Sequence, residues 1–354
     1  MSTVEFAGPA CPLPRAETER VLLGHGSGGQ LSAALLRELI VPALGGAATG
    51  GGLEDAAVLA GVGAGDLVMS TDSFVVQPRF FPGGDIGSLA VHGTLNDVAM
   101  MGGDPFALSL AFIVEEGFPL AELRRVAASA GLAAAAAGVP VVTGDTKVVG
   151  RGAADGLFVT TTGLGRRLPG ARLSATSVRP GDAVLLSGPV GLHGVTVLSV
   201  REGLGFDTEI ASDTRALHRL TRVLLAAGGG AVHAMRDPTR GGLASALNEI
   251  ALASRVEVEV EDRAVPVPAP VAAACELLGL DPLQVANEGC LVAFVAAEAA
   301  AAVLAAMRTR PEAAGAVRIG VVTAEHPGRV TARTLVGARR TVDMLVGEQL
   351  PRIC

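Results

Sequence analysis

The sequence predicts an α+β protein of two domains. Its 354 residues exceed what one ordinary hydrophobic core organises. Short strand-like and longer helix-like apolar runs follow one another in mixed order, not as a regular βαβ array. A polar, Arg-rich stretch from Arg166 to Pro180 interrupts them and marks the domain boundary. With 49% apolar and 18% charged residues, the chain is not disordered.

Residues 1–20 read as a loose arm, 21–165 as the first domain, 175–334 as the second, and 335–354 as a C-terminal segment ending in a mobile tail. In the first domain Val58–Ala60, Leu67–Thr71, Leu108–Ile113, Val139–Thr143 and Leu157–Thr162 read as strands. Ile86–Met101 and Leu120–Ala137 read as helices. Asp85, with Ser88 three residues on, is a predicted N-cap, and Gly102-Gly103 a predicted stop. The second domain repeats the mixture. Strands are expected at Ala183–Ser187, Val256–Val260 and Cys290–Val295. Helices are expected near Thr214–Ala227, Leu243–Ser254, Pro268–Leu278 and Ala297–Thr309.

Composition removes several classes of function. The net charge is −7 and no basic patch stands out, which argues against nucleic acid as a partner. No apolar run reaches about 20 uninterrupted residues, so no membrane span is expected. The N-terminus lacks the basic n-region of a signal peptide, and cytoplasmic residence is the simplest expectation. Cys11, Cys275, Cys290 and Cys354 form no CxxC pair, which excludes a zinc ribbon or a thioredoxin-like motif. Cys275 and Cys290 lie in apolar contexts and are expected to be buried.

Several segments could carry chemistry. Around the turn Gly61–Asp66, a hairpin folded between Gly63 and Ala64 sets Asp55 opposite Asp72. Two such carboxylates either flank the turn in water or hold a hard divalent cation between them. On the helix after Asp85, Gly93 and Asp97 share a face. The polar pair Asn96-Asp97 in an apolar helix either meets solvent or needs partners. Gly144, Asp145, Thr146 and Lys147 are expected directly after a strand, as an ordinary turn or as a ligand loop whose lysine holds phosphate or acts as a base. The glycine-rich loop of residues 24–30, with Gly26, Ser27 and Gly28, exposes N–H groups suited to phosphate, or is a flexible turn. Asp237 and the Gly241-Gly242 pair precede a helix, a capped turn or an anion site. Asn287 and Glu288 precede a strand.

The chain ends Leu350-Pro351-Arg352-Ile353-Cys354. This is not a prenylation box, which needs cysteine four from the end. From Asp343 the 12-residue arm could span roughly 40 Å. An exposed free thiol is a liability unless it is used.

Taken together, GHGSGG, EDAAV, STDS, LNDVAMMGG, TGDTKVV, RDPTRGGL, NEG and the terminal PRIC resemble, in order, the HypE-type hydrogenase maturation proteins, the carbamoyl dehydratases. EDAAV, TDS and ND also resemble the wider superfamily of aminoimidazole ribonucleotide synthetases, selenophosphate synthetases and thiamine-phosphate kinases. The terminal Pro-Arg-Ile-Cys narrows the match. The resemblance implies a PurM-like fold: an N-terminal α/β domain whose sheet pairs across a homodimer, and a C-terminal α+β domain. It implies ATP in the cleft between them. Asp55, Asp72, Asp97 and Asp237 match positions that hold Mg²⁺ and phosphates. Gly26, Ser27 and Gly28 match a phosphate-covering loop, and Asn96, Asp97, Gly144, Asp145, Thr146, Gly241 and Gly242 are expected around the nucleotide. Cys354 would receive a carbamoyl group from a HypF-type carbamoyltransferase, and ATP would drive its dehydration to a thiocyanate. Lys147 and Glu288 would position the group and move protons. The cyanide would pass to iron on a HypC–HypD-type complex for a [NiFe] hydrogenase. Cys11 lacks the nearby lysine of a selenophosphate synthetase and reads as a bystander. Another ATP-using member, a kinase or selenophosphate synthetase, and a non-catalytic thiol-tailed carrier are the alternatives.

Overall fold

The structure, a computed structural model, describes residues 29–34, 37–38, 57–59, 65–204, 210–334, 336–347, 350 and 352–354. The loop of residues 26–28, Asp55 and Cys11 therefore lie outside the described residues.

The first domain comprises α1 (Gln30–Ala34), β1 (Ala57–Leu59), β2 (Leu67–Phe74), β3 (Phe80–Phe81), β4 (Gly84–Asp85), α2 (Ile86–Met100), β5 (Gly103–Glu115), α3 (Leu120–Ala137), β6 (Val141–Val149) and β7 (Leu157–Arg167). Its main sheet has the order β1-β2-β7-β5-β6. Only β5 and β6 run parallel. Along β2, Val68, Ser70 and Phe74 are buried while Met69, Thr71 and Ser73 are exposed. That period of two places α2 over one face.

The start of α2 follows from its cap. The Asp85 carboxylate accepts from the N–H groups of Gly87 (2.8 Å) and Ser88 (3.0 Å), and Ser88 Oγ accepts from Asp85 N (3.0 Å). The helix is buried nearly all round. It lies between the sheet and α3, and Ala99 and Met100 enter a core of the second domain.

The second domain comprises β8 (Ala183–Leu186), α4 (Leu192–Glu202), α5 (His218–Gly228), β9 (Val232–Arg236), α6 (Gly242–Ser254), β10 (Glu257–Glu261), α7 (Ala269–Leu278), β11 (Val292–Val295), α8 (Ala297–Met307), β12 (Val317–Thr323), β13 (Arg329–Arg333) and β14 (Arg339–Thr341). Its sheet has the order β14-β13-β10-β12-β8-β11-β9. Strand β8, Ala-Val-Leu-Leu, is buried throughout. Val184 and Leu186 join the core under α6, Ala183 and Leu185 the core under α5 and α8. Strands β9, β12 and β13 and helix α4 are additions to the elements expected from sequence.

Two local expectations need correction. The β1–β2 ladder pairs Val58 with Val68 and Leu59 with Leu67. The hairpin is thus centred on residue 63, not between Gly63 and Ala64, a shift of one residue that exchanges faces. Gly144 to Lys147 do not follow a strand but lie within β6. Added bulk at Gly144 would meet the Leu110 carbonyl oxygen at 2.1 Å. Close pairing with β5, not a ligand, requires glycine there.

Candidate active site

Acidic side chains from both domains converge on the chain terminus. Ser70 and Asp72 point from β2 toward α2. Ser70 Oγ donates to Asp97 Oδ2 at 2.7 Å. A methyl group on Gly93, one turn before Asp97, would lie 3.9 Å from Asp72 Oδ2. So β2 and α2 present two carboxylates to one space. The second domain adds Asp237 and Arg240 from the turn between β9 and α6, and Glu288 from the turn before β11. Asn287 ties these turns together. Its N–H and Nδ2 both donate to Pro238 O, at 3.1 and 2.9 Å.

The charges perturb one another strongly. Burial pushes the Asp72 carboxyl up, opposed by the Arg240 guanidinium. Burial, then Asp237, Asp213 and Asp72, hold Glu288 well above the usual carboxylate range. Glu288 is only 2% exposed, and its Oε1 has no hydrogen-bond partner among the described residues. Arg240 is raised first by Cys354 and also feels Asp72, Glu288 and Asp97. It is the cation at the centre of the cluster.

The tail is docked here rather than extended as a free arm. Val75 N donates to Cys354 O (3.0 Å), and Gln77 N to Arg352 O (3.1 Å). Arg352 Nε returns to Val75 O at 2.9 Å, and its guanidinium pairs with Asp155. Residues 352–354 thus lie along the segment that leaves β2, held by backbone hydrogen bonds to Val75 and Gln77. From α4, Arg201 donates to Gln77 O (2.8 Å) and Arg352 O (2.9 Å), and His193 Nε2 meets Ile353 O at 2.7 Å. Ile353 is buried in the first domain's core, and Leu350 packs against it. Termini fray unless tied down; here both domains supply the ties. Burial pushes the Cys354 thiol up to about 12, with Arg240 opposing and Glu288, Asp72 and Asp97 reinforcing. The docked sulfur is therefore neutral near pH 7.

The structure brings Asp72, Asp97, Asp237, Glu288 and Cys354 together, and separates other candidates from them. The register Asp72↔Thr161↔Leu110↔Gly144 puts Asp145 and Lys147 on the opposite face of the sheet from Asp72. They are also three strands away, roughly 14 Å at ordinary strand spacing. Lys147 pairs with Asp145 at 3.0 Å, and both are exposed. Thr146 lies on the same exposed strand.

Asn96 is not turned to a ligand. Its Nδ2 donates to Arg215 O (3.0 Å), and its Oδ1 accepts from Leu217 N (2.8 Å). It bolts α2 to the second domain. Gly241 is the N-cap of α6. The Gly242 N–H donates to Thr239 O at 2.9 Å. With φ +63° and Leu283 O only 2.5 Å from an added methyl, Gly242 serves a tight turn against residues 283–285. Cys275 and Cys290 are buried, as expected.

Sequence reasoning missed Arg240, His193 and Arg201. Arg240 stands inside RDPTRGGL, where the glycines drew attention instead. His193 and Arg201 lie on α4, and no local pattern marks their role. Their partner is the tail, some 150 residues on.

Such a fold, two mixed domains with an acidic cleft between them, defines a class. Residues 53–167 match the family "AIR synthase related protein, N-terminal domain", and 179–333 its "C-terminal domain". A structure of ThiL complexed with AMPPCP and TMP shares the fold at a TM-score of 0.67 and 19% identity. Within that class the resemblance is specific. Carbamoyl dehydratase HypE of Cupriavidus necator is 55% identical over 335 residues, 95% of each chain, and that of Escherichia coli 44% over 337 residues, 94% of this chain and 99% of the relative. Hydrogenase maturation protein HypE in complex with ATP superposes with a TM-score of 0.79 at 49% identity, covering 95% of this chain and all of that one. The HypE–HypF complex gives 0.83 at 43% identity, covering 88% of this chain and 100% of that one. The chain belongs to the HypE carbamoyl dehydratase family.

Proposed function

We propose that this protein is an ATP-dependent dehydratase acting on its own C-terminal S-carbamoyl-cysteine, and that the product thiocyanate supplies a cyanide ligand for [NiFe] hydrogenase maturation. One observation carries the reading: Cys354 is seated beside Arg240, Glu288, Asp72 and Asp97. A carboxamide oxygen is a poor leaving group. In the first step it attacks the γ-phosphorus of ATP; the O–P bond forms, ADP leaves and one amide proton is lost. In the second the C–O bond breaks, inorganic phosphate leaves, the other amide proton departs and the C≡N bond forms. The net change is loss of one water from the cysteine adduct.

The site's own groups suit each demand. The docked position disfavours a thiolate but accommodates an uncharged thiocarbamate. Loading requires a nucleophilic thiolate and therefore an undocked tail. Glu288, buried and raised, is placed to take an amide proton, and Arg240 to neutralise charge growing on oxygen.

Mg²⁺ fits the donor set. Asp72, Asp97 and Asp237 are hard oxygen donors, and burial raises the Asp72 carboxyl, a cost that a bound divalent cation would offset beyond what Arg240 does. Bound there, the ion would neutralise phosphate charge. Asp55 and residues 26–28 remain proposed as further Mg²⁺ and phosphate contacts on the sequence match alone.

A HypF-type carbamoyltransferase is the proposed donor, supported by the HypE–HypF complex of relatives. A HypC–HypD-type iron scaffold is the proposed acceptor. A homodimer is supported by the open face and edge of the first sheet, where Met69, Phe106, Ile113, Val141, Val142 and Val148 are exposed. Pairing there would also bring Lys147 and Asp145 to a second copy. No helix among the described residues is long and apolar enough to cross a membrane. A cytoplasmic location is proposed with the function.

Protein mass tests the reading. Carbamoylated protein given Mg-ATP should lose one water per chain. An unchanged carbamoyl adduct would mean a carrier without ATP chemistry.

A further inference from the structure

One segment of the second domain grips the tail, the Glu288 turn and α2 at once. Ser212 Oγ accepts from Thr214 N (3.2 Å) and lies 2.8 Å from His193 Nδ1; because the Ile353 carbonyl opposite Nε2 can only accept, a neutral ring leaves Nδ1 to accept the Ser212 proton. His193 Nδ1 is then the acceptor, and Nε2 carries the proton donated to Ile353 O at 2.7 Å. The ring is fully buried and meets the edge of Phe81 at 87°, with centroids 5.4 Å apart. Burial holds His193 below its usual pKa, in keeping with this neutral form.

The next residue, Asp213, is buried and accepts from the N–H groups of Glu288 (3.0 Å) and Gly289 (2.9 Å). A methyl on Gly289 would fall 1.7 Å from Asp213 O, so the two segments touch backbone to backbone. Two residues on, Arg215 O accepts from Asn96 of α2, the helix that bears Asp97.

We infer that His193 is a positioning residue for the dehydration. Held by Ser212, it fixes the carbonyl of Ile353, and so the adjoining Cys354, at a set distance from Glu288, whose backbone Asp213 holds. This rests on the reading above that the cysteine adduct is dehydrated in this cleft. The chemistry favours it: a misplacement of about 1 Å in an oriented reaction can cost about 100-fold. A hydrogen bond from a rigid ring to the penultimate carbonyl sets the sulfur without touching it.

The test uses full-length protein carrying the carbamoyl group, mixed with excess Mg-ATP and followed in a single turnover by mass. His193→Phe keeps the ring shape and lacks the donor. It should slow loss of water about 10- to 100-fold while ATP affinity stays within about twofold of the parent. His193→Gln, whose amide can donate to the Ile353 carbonyl, should recover to within about fivefold of the parent. Dehydration by H193F within about twofold of the parent would overturn the inference. So would an equal loss of rate and ATP affinity, or an H193Q variant as slow as H193F. If H193F does not fold, Ser212→Ala decides: about fivefold slower with ATP affinity kept supports the inference, and an unchanged rate overturns it. Failure of the parent itself to lose water would contradict the dehydratase reading instead.

Discussion

The two faces of the first domain's sheet carry polar residues from the same strands, yet among the described residues one face is covered and the other is open. Toward α2, Ser70 bonds Asp97, Asp72 faces Gly93, and the docked tail closes the space. On the far face Thr71 Oγ1 bonds Thr162 Oγ1 (2.9 Å) and Ser73 Oγ meets Thr160 Oγ1 (3.1 Å), with Asp145 and Lys147 exposed beyond them. The difference lies in what covers each face. Burial on the α2 side raises Asp72, Glu288 and Cys354. The Lys147–Asp145 pair, 72% and 61% exposed, is screened by water and contributes little to stability. The proposed chemistry lies on the covered face, and the open face is where the proposed second copy would pair.

The largest expected effect breaks the covered face. Cys354→Ser should abolish carbamoyl loading and the ATP turnover that depends on it, with ATP binding unchanged by equilibrium titration. A small-molecule kinase would scarcely respond. Next, Glu288→Gln should slow single-turnover water loss about 100- to 1,000-fold while leaving ATP affinity within a few-fold. Equal loss of both would assign Glu288 to nucleotide binding instead.

The open face is tested by association. Val142→Lys should convert the expected dimer to monomer in light scattering. A dimer that persists would leave that edge without its proposed partner. Lys147→Ala should slow dehydration of the assembled protein about tenfold or more if a second copy returns this lysine to a cleft. An unchanged rate would confine it to its surface pair with Asp145.

The smallest effect concerns acid stability. Burial, Arg215 and His218 hold His92 at about 4, against 6.5 for a free imidazole. The unfolded chain then binds more protons between pH 6.5 and about 4, so stability falls as pH drops through that window, by up to about 3 kcal/mol at its lower end. His92→Gln should flatten the decline of Tm from pH 6.5 to pH 4.5. A variant with the parent's slope would place the acid sensitivity elsewhere.

Much of the fold was legible because local signals were strong. Asp85 and Ser88 cap the start of α2 in the structure as they do in the sequence; its C-cap is Met101, with Gly102 in the left-handed region directly after it. Helix α4 was not legible. It starts at Gly191 without a side-chain cap, and its Val-Thr-Val run reads as β-branched. Its two site residues were lost with it. Asp97 was found because a polar pair in an apolar helix demands partners, Asp72 from the hairpin and Asp237 from its place before a helix, whereas Glu288 came only from the resemblance. Arg240 was not found, because its partner Cys354 lies 114 positions later, and no local spacing encodes that meeting. Gly144 and Gly242 show the opposite case, glycines that resemble ligand loops but serve close backbone packing.

The seating of the terminal sulfur is tested most directly by its alkylation. In a Cys11→Ser background, with Cys275 and Cys290 buried, the iodoacetamide rate at residue 354 is followed against pH and compared with a free peptide ending Pro-Arg-Ile-Cys. A thiol held neutral up to about 12 should react at least about 100-fold more slowly than the peptide at pH 8, because only the thiolate attacks. The same rate and the same pH midpoint as the peptide would contradict a docked cysteine.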